Sequence, residues 1–79
     1  MGRIKEKKII ITFYTTTDAM AMEDWCKEHG VGGRIIPVPP TIMAGCGLAW
    51  CIEPEMEEEM IQAIRKSQIS YQAMQEAMI

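Results

Sequence analysis

The chain has 79 residues, 48% of them hydrophobic and 24% charged, with a formal net charge of −3. That size and balance describe one small domain, residues 1–79, and exclude a disordered chain. The acidic balance gives no reason to expect a nucleic-acid partner; Arg3, Lys5, Lys7 and Lys8 read as a short solvated lead-in.

The longest strongly apolar run, around Ile9 to Tyr14, is about six residues, far short of a membrane span. Thr15-Thr-Thr-Asp18 interrupts it where a signal peptide would stay apolar, so the expectation is a cytoplasmic protein with no membrane partner. Three cysteines, an odd number, do not read as a disulfide scaffold. The eight methionines are adaptable core fillers with no metal-array spacing.

Lys8 to Tyr14 is rich in β-branched and aromatic residues and reads as a strand. Ile9, Ile11 and Phe13 fall on one face, Ile10, Thr12 and Tyr14 on the other, so it is expected to be central. Thr15, Thr16 and Thr17 are N-cap candidates for a helix that runs to about His29 and stops at Gly30. Ala19, Met22, Trp25 and Cys26 make its apolar stripe, which marks Cys26 as core packing. Arg34 to Val38 is a second strand, placed at a sheet edge because Pro37 has no N–H to give. A third strand spans Gly47 to Ile52. Pro54 then opens a second helix whose Glu55, Glu57, Glu58 and Glu59 suit its positive end, with Met56, Met60, Ala63, Ile64 and Ser67 on one side. The tail alternates Ile69, Tyr71 and Ala73 against Ser70 and Gln72, and reads as a strand from about Ile69 to Gln75.

This order predicts an α+β fold, a ferredoxin-like βαββαβ two-layer sandwich with an antiparallel sheet and both helices on one face. A first strand apolar on both sides implies that the uncovered face is buried by a second copy, so a homodimer is expected.

The loop between the second and third strands carries the unusual feature, Gly45-Cys46-Gly47. Flanking glycines keep bulk away from a thiol and leave neighbouring amides free to turn toward its sulfur. The topology puts this loop at the end where the first helix begins, near Thr15, Thr16, Thr17 and Asp18, where a helix's positive pole favours a thiolate. A tight glycine turn with an incidental cysteine is the alternative.

The first strand Ile-Thr-Phe-Tyr14 with its Thr-rich helix start, Ile36-Pro-Val-Pro39, and Gly45-Cys-Gly-Leu-Ala49 together resemble the selenium/sulfur (Se/S) carrier protein-like family, long a domain of unknown function. The resemblance spans residues 8 to about 76. Its most specific part is Pro37-Val-Pro39 followed seven residues later by Cys46-Gly47. Members usually carry an arginine after the second proline, where this chain has Pro40, so an anion contact by that arginine is not carried over. Cys51 is an addition to the pattern.

The resemblance implies a carrier that holds a persulfide or perselenide on Cys46, supported by Gly45 and Gly47, between sulfur- or selenium-donating and accepting proteins. The alternative is a non-catalytic, dimerising interaction module that docks on a larger enzyme. A redox pair of Cys46 with Cys51, the possible second thiol, meets a distance problem: five extended steps span roughly 16 Å, and a disulfide needs under about 7 Å. Metal binding by Cys26, His29, Cys46 and Cys51 lacks the paired CxxC spacing of zinc sites, and no metal or cofactor is expected. With one histidine and no phosphate-cradling loop, free-standing catalysis is not the reading adopted.

Overall fold

The computed structural model describes residues 6–40, 42 and 45–79. Its elements are β1 (Lys7–Thr12), α1 (Thr16–His29), β2 (Arg34–Pro37), β3 (Leu48–Ile52), a 3-10 turn (Pro54–Met56), α2 (Glu57–Ser67) and β4 (Ala73–Met78). The sheet order is β2-β3-β1-β4 and every neighbouring pair is antiparallel, the ferredoxin-like arrangement. β1 is central and the proline-bearing β2 lies at an edge, as their sequences require. The basic lead-in at Arg3 and Lys5 falls outside the described residues.

Both helices pack on one face. Ile9, Ile11 and Phe13 from β1 and its end, with Trp50 and Ile52 from β3, meet Ala19, Met22 and Cys26 of α1 and Met60 and Ala63 of α2. Side chains of this size contribute roughly 1.5–3 kcal/mol each when fully buried. Helix α1 is bounded as its ends dictate. The Thr15 hydroxyl accepts from the Asp18 N–H at 3.1 Å, and Gly30 takes the left-handed conformation at φ 70°.

Three expectations need correction. The chain leaves the sheet after Thr12, so Tyr14 is exposed and does not line the second face. Glu53-Pro54 begins a 3-10 turn, and the α-helix proper starts at Glu57. The last strand is Ala73–Met78, displaced along the chain from Ile69–Gln75. Gln68, at φ 58°, turns the chain out of α2, and Ile69 then packs against the helix-side core. Pairing begins only where the Gln72 N–H donates to the Thr12 carbonyl.

The face opposite the helices is largely covered by the chain itself. Ile10, Ala49 and Cys51 are buried there beneath Val38, Ile42 and the terminal Ile79. A hydrogen bond from the Ile42 N–H to the Pro39 carbonyl, 2.9 Å, folds that turn inward. The exposed apolar face that called for a second copy is therefore mostly accounted for within one chain. Lys8 lies on this face too, paired with Glu53 and, at 3.4 Å, with Glu6; the Glu53 contact first, then Glu6, holds its ammonium above the ordinary lysine range.

Candidate functional site

Cys46 sits at the end of the sheet where β1 hands over to α1. A Cβ placed on Gly45 would lie 3.3 Å from the Tyr14 carbonyl oxygen, so the loop rides directly against the Phe13–Tyr14 backbone. Gly47 plays a different part: it holds φ at 81°, which L side chains rarely adopt, with open space around it. Close approach selects the first glycine and backbone conformation the second. The Val38 N–H donates to the Gly47 carbonyl at 2.9 Å and closes the loop at its base. Residues 41, 43 and 44 of the cysteine loop lie outside the described residues.

The thiol is half-buried. It packs against the helix-side core, and its S–H donates to the Leu48 carbonyl, 3.5 Å away. A thiolate has no hydrogen to give, so ionisation exchanges this contact for whatever donors the loop can turn toward the sulfur. One amide is already engaged: the Gly45 N–H donates to Gln72 Oε1 at 3.1 Å. Gln72 was not legible as part of this loop, because the two residues are 27 apart and no motif links them. The Thr15 hydroxyl is also occupied. It donates to the Asp18 carboxylate at 2.9 Å while capping the helix, and that carboxylate opposes the positive helix end. Thr16 and Thr17 are exposed in the first turn of α1.

Cys51 and Cys46 face opposite ways. Cys46, in the loop before β3, packs with the helix-side core, whereas Cys51 belongs to the second-face cluster. The sheet itself separates them, and all three cysteines are free. Burial pushes the Cys51 thiol up, partly offset by the Arg34 and Lys8 cations. Cys26 is fully buried with its S–H toward Met22 Sδ at 3.7 Å. Burial, and after it the Glu59 carboxylate, push this thiol up to about 11. His29 caps the far end of α1, its ring 3.8 Å from that of Trp25 and its Nδ1 2.9 Å from the Trp25 carbonyl. Among the described residues no group of three or more His, Cys, Asp or Glu side chains is placed to hold a metal ion.

Residues 8–76 match the family described as Putative Se/S carrier protein-like. The chain belongs to this family. No curated protein and no solved structure matches it. The matched span takes in every strand and helix except the first residue of β1 and the last two of β4, and it includes the Gly45-Cys46-Gly47 loop. No helix is long and apolar enough to cross a membrane among the described residues.

The two buried thiols carry a pH dependence. Each holds its proton in the fold above the pH at which the unfolded chain releases it, near 9.0. Their stabilisation is complete below that pH and is lost as pH rises toward about 11, the value for Cys26. Two pH units for Cys26 correspond to a loss on the order of 3 kcal/mol when complete, most of it reached by about pH 10.5. Urea unfolding at pH 8 and pH 10.5 should show this loss, and the double variant Cys26→Ala, Cys51→Ala should flatten it. An equal loss in that variant would place its origin elsewhere.

Proposed function

We propose that the protein is a sulfur or selenium carrier whose load rides on Cys46. Family membership supports the cargo class. The observation that carries the reading is Cys46 itself: a thiol at the sheet end, half-accessible, with a glycine on either side and no covalent partner. The Cys46 thiolate would attack the terminal sulfur of a donor protein's persulfide. The new S–S bond forms as the old one breaks, giving Cys46–S–SH and the donor's thiolate, with no external oxidant. A perselenide load would follow the same balance. On this reading Gly45 and Gly47 keep the approach clear, and Thr15, Thr16 and Thr17, at the start of α1, would supply the rim on that side. The partners on this reading are the donating and accepting proteins.

Incubation with a cysteine desulfurase and cysteine, followed by intact mass spectrometry, tests this. One added sulfur atom per chain is expected, removed by a thiol reductant and absent in Cys46→Ser. No gain, or a gain that persists in that variant, removes the reading.

The sulfur's packing against the core and its contact with Leu48 favour a second reading, an interaction module with an incidental thiol. Alkylation of Cys46 separates the two. A carrier stops delivering sulfur when blocked, whereas a docking module keeps binding its enzyme.

A further inference from the structure

Among the described residues, no strand or helix covers the outer edge of β4. The other edge, β2, contains Pro37, which removes one ladder donor. β4 offers six residues without proline and with one charge, Glu76. Glu6 and Ile79 exchange both backbone hydrogen bonds, each 3.1 Å, so pairs two residues further along β1 and β4 repeat that pattern. The alternate pairs, Ile11–Met74, Ile9–Glu76 and Lys7–Met78, leave the N–H and C=O groups of Met74, Glu76 and Met78 pointing away from β1. Among the described residues no backbone group bonds to them there, and they form an antiparallel template.

The side chains on this edge say what covers it. Met78 is an exposed apolar knob, 57% accessible, on the helix side of the sheet. Beside Met74, on the same side, lies a cavity of about 260 Å³ lined also by Ile61, Ile64, Arg65 and Tyr71. Apolar cavities of about 150 Å³ already hold a benzene ring. We propose that β4 pairs antiparallel with β4 of a second copy about a twofold axis through Glu76. That register sets Met78 of each chain opposite the other's Met74, so each knob enters the other's cavity. The two sheets become one of eight strands, and the proline-bearing edge closes the assembly at a dimer. At the axis the two Glu76 carboxylates meet, each held from its own β1 by Lys7 at 3.0 Å, giving a row of charges plus, minus, minus, plus.

This pairing is independent of the thiol chemistry and uses the sheet's edge, not its second face. Sedimentation and light scattering over a concentration series should give a mass rising from 9.0 kDa to twice that value. Glu76→Pro removes an outward N–H without touching the β1 ladder and should hold the chain at 9.0 kDa. If that variant unfolds, Met78→Lys, a side-chain change at an exposed position, decides instead, with circular dichroism as the check on folding. Glu76→Gln removes the like-charge encounter and should tighten the dimer roughly two- to fivefold. A monomer at every concentration, a dimer that survives Met78→Lys, or loosening by Glu76→Gln would each overturn the arrangement.

Discussion

Gly33→Ala is expected to leave the chain unfolded or barely folded, while Gly47→Ala leaves it folded. A Cβ on Gly33 would lie 2.5 Å from Trp50 Nε1, 2.6 Å from Trp50 Cε2 and 2.9 Å from Ile52 Cγ2. Neither neighbour can move aside, for both are buried under the helix layer. The indole N–H is itself buried there without an acceptor among the described residues, so this corner already carries a cost. Gly33 also holds φ at 129°. Strain of that kind costs about 1–3 kcal/mol, and overpacking a filled core a further 1–3. The sum, about 2–6 kcal/mol, is comparable with the whole stability of a domain this size, roughly 4–12 kcal/mol. At Gly47, with φ 81° and open space, only the backbone strain applies, about 1 kcal/mol. Urea titrations followed by circular dichroism compare the variants. If Gly33→Ala melted within about 1 kcal/mol of the parent, the packing described at Trp50 would be wrong.

The elements were legible where local chemistry and tertiary demand coincide. Ile9, Ile10 and Ile11 are all buried, and only a central strand packed on both faces needs such a run. Thr15 and Gly30 bound α1 by a capping hydrogen bond and a left-handed backbone conformation that these residue types favour. The order of the strands then fixes which loops share an end. The tail was harder, because Ile69, Tyr71 and Ala73 alternate like a strand although Ile69 serves as an anchor after a left-handed turn at Gln68. Periodicity cannot tell an alternation that pairs from one that merely passes by. The second face was misjudged for a related reason. Ile42 and Ile79 cover Ile10 and Cys51 from a loop and a chain end, and neither position follows a repeat. At the candidate site the glycine–cysteine–glycine pattern stood out, but Gln72 and the Leu48 carbonyl did not. Their contacts with Gly45 and Cys46 are made by the folded loop and leave no mark in the residue types.

The three thiols should separate widely in reactivity, in the order Cys46, Cys51, Cys26. Alkylation needs a sulfur that solvent can reach, and only Cys46 is partly open in the folded chain. The other two react only through opening, and an opening free energy of about 4 kcal/mol slows a reaction roughly a thousandfold. Their covers differ in strength. Cys51 lies under Ile42, from a loop, and Ile79, at the margin of the sheet, so a local opening exposes it. Cys26 is enclosed between α1, α2 and the sheet, and releasing it amounts to unfolding the domain. A neutral-pH time course with iodoacetamide, read by peptide mass spectrometry, should therefore show one fast site, one slower by about a hundredfold or more, and one that follows global unfolding. Low urea should accelerate the second less than the third, because a small opening exposes little surface. Were Cys26 labelled as fast as Cys46, the enclosure of α1 against the sheet would be wrong. Were Cys46 inert until denaturant is added, no donor protein could reach it, and a carrier role for this thiol would fall with it.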